Sequence, residues 1–236
     1  MKKYKLTTET LQFAGRTLHR IKAVKDFDSI KAGEFGGWIE NEKNLSQDDN
    51  AWIYGDAMVF DNAKIFGNAE VYGNANVSGN ANVSDYAKVY GNANVFGNAK
   101  IFGNAEVYGN ANVFGYAEVY GNANVSDYAN VSGNAEVSGN ANVSDYAKVY
   151  GNAAIKGDAK VHDAVDYIVF KNFWSSGRYF TWTSSNNKWS VGCFYGTGEE
   201  LIKKAYADSE KSGREYERVV RYVESILADE KKEKSN

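Results

Sequence analysis

From Ile53 to Val161 a Val or Ile recurs at every sixth position without a skip, 19 times in all. An Ala stands two residues before each of them, from Ala51 to Ala159, so that the unit reads Ala-x-Val-y-Gly-Asn. Apolar positions spaced by two and then four cannot trace a helical stripe, whereas Ala-x-Val puts both side chains on one face of a short strand. The dipeptides that follow, such as Gly-Asn, Gly-Asp, Asp-Asn and Asp-Tyr, enter left-handed backbone conformations at low cost. Each unit is therefore a strand and a corner. Three corners close a triangular coil of 18 residues, and stacking pairs each strand in parallel with its copy one coil on. Ile39 and Leu45 are also six apart, and two extra residues before Ile53 make room for a preliminary coil. The result is about seven coils, roughly 30 Å long at a strand spacing of ~4.8 Å.

The aliphatic residue every six positions, with a small residue two before it, resembles the hexapeptide-repeat proteins, whose best-known members are trimeric acyltransferases. The resemblance covers residues 51 to 161. It implies a left-handed parallel β-helix, against the usual right-handed crossover; the period alone does not set the hand. The segments Gly36-Gly37-Trp38-Ile39-Glu40 with Asn44-Leu45-Ser46, and Val191-Gly192-Cys193-Phe194 with Gly196-Thr197 and Glu199-Glu200, resemble the flanks of uncharacterised β-helix proteins in bacteria, prophages and phages. That likeness implies a phage or prophage source and brings no established active residues with it.

A solenoid leaves unpaired strand edges at both ends unless other segments cover them. Residues 1–38 read as an N-terminal capping segment, with a hairpin around Gly15-Arg16 between Leu11 and Ile21. Residues 39–163 are the β-helix and 164–229 a C-terminal β/α domain. In that domain Val165 to Phe173, Tyr179 to Thr183 and Trp189 to Tyr195 read as strands. Thr197-x-x-Glu200 is a capping box, and Tyr216, Val219, Val220, Val223, Ile226 and Leu227 form a helical stripe. A charged tail, 230–236, ends the chain. The fold class is mainly β, a β-helix with a small N-terminal β cap and a domain of β-strands plus α-helix.

Sorting the outward positions by coil gives three faces of different character. One column, Trp52, Glu70, Lys88, Glu106, Asn124, Asn142, Lys160, alternates in sign as a solvated face does. Another, Met58, Asn76, Asn94, Asn112, Asn130, runs beside Phe60, Ser78, Phe96, Phe114, Ser132 and lacks charge over five coils. Charge depletion with aromatics marks the core of an interface. Met58, Phe60, Asn76, Asn94, Phe96, Asn112, Phe114 and Asn130 are therefore the expected packing surface of a homotrimer, with Asn ladders that merely cap their own rungs as the alternative. Elsewhere Tyr54, Tyr72, Tyr90 and Tyr108 stack before Ser126 and Ser144, while Tyr128 and Tyr146 replace corner Asn. This recession of aromatics makes Ser126, Tyr128, Ser144 and Tyr146 candidates for a ligand groove. A second candidate is the C-terminal aromatic cluster Trp174, Arg178, Tyr179, Trp182 and Trp189, since aromatics with one Arg can hold a base, sugar or phosphate. The competing reading makes these rings the core of a small β domain.

Composition narrows the chemistry. There are 23 Gly, no Pro, one Cys, and a net charge of −3 from 27 basic and 30 acidic residues, a balance that disfavours wrapping a nucleic-acid polymer. No hydrophobic run suits a membrane span or a signal peptide, so the cytoplasm is expected, the host's if the gene is a phage's. Asn-Val-Ser sites then carry no glycan. Two histidines, His19 and His162, cannot form a three-histidine zinc site. The repeats hold no interrupting loop of the kind that hexapeptide acyltransferases use, and His162 reads as a capping or surface residue rather than a base. Cys193 lies in an apolar run and reads as a buried structural thiol. No Thr occurs between Thr17 and Thr181, against an ice-binding array. No catalytic residue, metal or cofactor is expected. The reading is a non-enzymatic oligomeric binding protein, holding a nucleotide-like ligand or host factor at intersubunit grooves or the C-terminal domain; its narrowest form sequesters a nucleotide immune signal. A structural or assembly solenoid is the alternative, and a hexapeptide acyltransferase the third.

Overall fold

The computed structural model describes residues 2–173 and 177–233, the side chains of residues 230 and 231 excepted. It divides into two compact units, Met1–Asp166 and Tyr167–Asn236. The first is a parallel β-solenoid of about seven turns. Every repeat Ala, at six-residue intervals from Ala51 to Ala159, and every repeat Val or Ile from Ile53 to Val161 is buried in its interior. Each of those valines contributes about 1.5–3 kcal/mol relative to exposure, which explains how two-residue strands such as Lys88–Val89 hold together. Rungs align 18 residues apart, for example Lys88 with Glu106 and Val89 with Val107. The preliminary coil is present: Ile39 pairs with Val59 and Leu45 with Ile65, an offset of 20 that absorbs the two extra residues.

The corners show why two residue types alternate there. Corner glycines sit at positive φ, such as +76° at Gly97 and +75° at Gly115. A Cβ on Gly97 would stand 2.9 Å from the backbone N of Gly115 on the next coil, so stacking as well as φ excludes a side chain. Asp61, Asp85 and Asp127 occupy the same conformation at φ +56° to +60°. Their carboxylates compensate by accepting the backbone N–H of the corner one coil on, Gly79 at 3.1 Å and Gly103 at 3.0 Å for the first two. Corner asparagines form amide ladders, Asn62 to Asn80 to Asn98 and Asn74 to Asn92 to Asn110.

The N-terminal strands Tyr4–Phe13 and Arg16–Ala23 form the expected hairpin, which extends one solenoid sheet antiparallel through Phe35–Ile39. Gly36 and Gly37 make that junction possible, since a Cβ on either would collide with Ile53 or Ala57 of the first coil. The first coil's carbonyls, which have no preceding rung, are met by side-chain donors. Lys3 Nζ donates to Asp49 O (2.8 Å) and Ala51 O (2.7 Å), Tyr4 OH to Leu45 O (2.7 Å), and Asn44 Nδ2 to Ala63 O (2.9 Å). Lys3 is buried as a result, which pulls its ammonium pKa below the usual lysine value against the attraction of Asp49. Over this end Trp52 packs edge-on against Tyr4 and Phe27.

The second unit is a four-stranded antiparallel meander, Tyr167–Lys171, Tyr179–Thr183, Lys188–Val191 and Phe194–Gly196, followed by helices α1 (Gly198–Asp208) and α2 (Glu210–Glu233). The capping box forms: Thr197 Oγ1 accepts from Glu200 N while the Glu200 carboxylate accepts from Thr197 N at 2.7 Å. The stripe of Tyr216, Val220 and Val223 packs on Phe180, Trp182, Trp189 and Val191 with Leu201 and Ile202. Cys193 is exposed, contrary to its sequence reading. It follows Gly192, at φ +57°, in the two-residue turn that joins the last two strands, and an apolar run there concealed the turn. No helix among the described residues is long and apolar enough to cross a membrane.

Candidate functional site

The uncharged face is built on the sheet containing Met58–Val59, Asn76–Val77, Asn94–Val95 and Asn112–Val113. Asn76 Nδ2 donates to Asn94 Oδ1 and Asn94 Nδ2 to Asn112 Oδ1, each at 3.2 Å. The same amides also donate to the backbone carbonyls of Asn74 and Asn92. Asn94 thus has both N–H donors used and its oxygen occupied, which lowers the cost of removing water from it. Beside the ladder the Phe96 and Phe114 rings stack, 4.9 Å apart and 1° from parallel. Asn76 Oδ1, at the head of the ladder, is buried without a donor because Met58 occupies the preceding rung. Two of the predicted interface residues are spent on the chain's own hairpin: Phe60 is buried with Leu18 and Trp38, and Met58 packs against that cluster. Asn130 keeps to itself, its amide donating to Tyr128 O.

The other faces carry charge in compensated form. Lys88 pairs with Glu70 at 3.4 Å, Lys100 with Glu118 at 2.8 Å, and Lys156 with Glu136 at 2.9 Å. The tyrosine column stacks as read, Tyr72 to Tyr90 at 4.6 Å and Tyr90 to Tyr108 at 4.9 Å. Its hydroxyls serve the sheet, with Tyr90 donating to Glu106 at 2.8 Å. Burial, then the Glu70 carboxylate, pushes the Tyr54 hydroxyl up to about 12.

Toward the end of that column the predicted groove has a different form from an open floor. Ser126 and Ser144 are only 3% and 7% exposed. Ser126 Oγ donates to Asp127 at 2.8 Å, and Ser144 Oγ lies 2.7 Å from His162 Nδ1. The same His162 nitrogen is 2.9 Å from Asp145 Oδ2. What faces outward is the stacked pair Tyr128 and Tyr146, at 5.3 Å, together with Asp127, Asp145 and His162. His162 falls in the tyrosine column one coil after Ser144, so the 18-residue period alone could have placed it beside that serine. Among the described residues no group of three His, Cys, Asp or Glu side chains is placed to hold a metal ion.

The C-terminal candidates separate by burial. Trp182 and Trp189 are core residues, 3% and 2% exposed, with Trp182 Nε1 donating to Asn187 Oδ1 at 2.9 Å. Arg178 and Tyr179 are nearer the surface, Arg178 lying over Gly192 and Tyr179 under the Lys171 ammonium. Trp174 lies outside the described residues.

No family model matches the chain. A protein of Escherichia coli K12 named "Uncharacterized acetyltransferase YdcK" is 39% identical over 62 residues, 23% of this chain and 19% of that protein. The chain thus spans about a fifth of the relative it matches.

Proposed function

We propose that this protein is a non-enzymatic, self-associating solenoid that works by binding, with the uncharged face packed about the threefold axis of a homotrimer. The observation that carries this reading is the Asn76–Asn94–Asn112 ladder beside the Phe96–Phe114 stack. Asn94 at its centre has both amide donors and its oxygen engaged, the rings beside it are partly exposed, and the face bears no charge from Asn76 to Ser132, which lowers the cost of dehydrating it. Small ligands would lie in the grooves between copies. The expected result of Asn94→Lys with Asn112→Lys is dissociation to monomers or loss of solubility, because a trimer would bring six ammonium groups close to its axis. Light scattering measures it, with Lys88→Glu plus Glu106→Lys on the charged face as the control that leaves the mass unchanged. A wild-type monomer overturns the reading.

The second reading is acyl transfer, favoured by the name of the relative and by one geometric observation. Asp145 and Ser144 hold the Nδ1 side of a half-exposed His162, and a ring held at Nδ1 would use Nε2 as its base. On the binding reading, His162→Ala leaves biological activity and assembly intact and the wild type does not consume acetyl-CoA. Turnover of acetyl-CoA that disappears in His162→Ala would establish the enzyme instead.

A further inference from the structure

The far edge of the N-terminal sheet holds a recess of about 420 Å³ lined by Lys5, Thr7, Thr8, Glu9, Lys22 and Phe35, within the size range of small-ligand sites. Two backbone irregularities open it. The hairpin is in register through Leu6 and Ile21 and resumes only at Thr10 and His19, so Thr7, Thr8 and Glu9 oppose Arg20 alone. On the other side of the same strand, Arg20 pairs with Trp38 and Lys22 with Phe35, which places one extra residue in Phe35–Ile39. Bulges of this kind redirect side chains at sheet edges and beside sites.

The register sets Lys5, Lys22 and Phe35 side by side on three adjacent strands. Like charges directly opposite each other destabilise a sheet, yet Lys5 and Lys22 form no ion pair among the described residues. Lys22 Nζ sits 4.6 Å from the centroid of the Phe35 ring, which is 52% exposed. Protection of an edge strand accounts for Lys5 and the outer bulge. It does not account for a second lysine on the inner strand or for an exposed Phe beside it.

We propose that this recess binds a small phosphorylated ligand bearing a planar ring, of the nucleotide class. Its phosphates lie between Lys5 and Lys22, where an anion relieves the repulsion between the two ammonium groups, and its ring stacks on Phe35. Thr7 and Thr8 offer hydroxyl donors, and Glu9 accepts from a sugar hydroxyl or a ring amine. The inference rests on the reading of this protein as a binding protein and is independent of its self-association.

Titration calorimetry with ATP, pyrophosphate and adenosine tests it on the wild type, Lys22→Gln and Phe35→Ser. The wild type is expected to bind ATP, more weakly pyrophosphate, and adenosine least. Lys22→Gln should weaken ATP by about tenfold or more, and Phe35→Ser should weaken ATP while leaving pyrophosphate unchanged. Without ligand, Lys22→Gln should melt no lower than the wild type, since it removes the lysine opposition. Absence of binding at millimolar ATP, or ATP binding indifferent to Lys22→Gln, overturns the site. Light scattering on the same samples keeps the two readings apart: a trimer that binds no nucleotide refutes only this site, and a monomer that binds it refutes only the assembly.

Discussion

Gly97→Ala is expected to lower the unfolding temperature of the solenoid markedly more than Gly15→Ala, although both glycines have nearly the same φ, +76° and +75°. An L side chain in that conformation costs about 1–2 kcal/mol by itself. A Cβ on Gly15, in the hairpin turn, would meet nothing within 4 Å, so that variant should show only the conformational cost. Gly97 adds a collision with the backbone of the coil above, which must separate two rungs to relieve it. Gly97→Asp should fall between Gly15→Ala and Gly97→Ala, because Asp61, Asp85 and Asp127 already show how a carboxylate recovers a hydrogen bond at such corners. Thermal melts followed by circular dichroism on the four proteins settle the order. Equal losses for Gly97→Ala and Gly15→Ala would mean that corner stacking is not what restrains the coils.

Trp182→Ala is expected to cost the second unit roughly 3–5 kcal/mol, the range for deleting a large buried aromatic. The ring lies in the layer between the sheet and the two helices, and its Nε1 donates to Asn187 in the turn that joins two strands. Arg178→Ala, at an exposed position, should leave folding nearly unchanged. A biphasic denaturation profile would report the difference, with the C-terminal transition lost or shifted in Trp182→Ala and the solenoid transition unmoved. Small and equal shifts for the two variants would mean that Trp182 is not part of the core.

The solenoid was legible because a six-residue period over 19 units leaves only one way to bury Ala and Val together, and even the offset of 20 at Ile39 followed from counting. Handedness was not, since the same period suits either hand. The tyrosine, phenylalanine and asparagine columns were also readable, because position modulo 18 is position in space. What escaped were contacts between segments outside the period. Lys3 looks like one more charge in Met1-Lys2-Lys3-Tyr4-Lys5, and only the fold makes it a donor to Asp49 and Ala51. The Lys5–Lys22–Phe35 row depends on two bulges that no local pattern announces. Cys193 was misread because a two-residue turn inside an apolar run has the same composition as a strand. The serines of the last coils were correctly placed on one column, but their hydroxyls turn to Asp127 and His162 instead of lining an open floor.

The constant 18-residue register makes the solenoid a ruler whose graduations can be added or removed. Loss of one whole coil, residues 93–110 for instance, would shorten the rod by ~4.8 Å and leave every surviving column in phase with itself. Loss of a single hexapeptide would instead advance all later rungs by one side of the triangle, setting Asn columns over Lys and Glu columns. Length in this protein can therefore drift in steps of 18 with both ends kept intact, whereas steps of six scramble the surface, and gene duplication has a strong filter to pass through in the second case and almost none in the first.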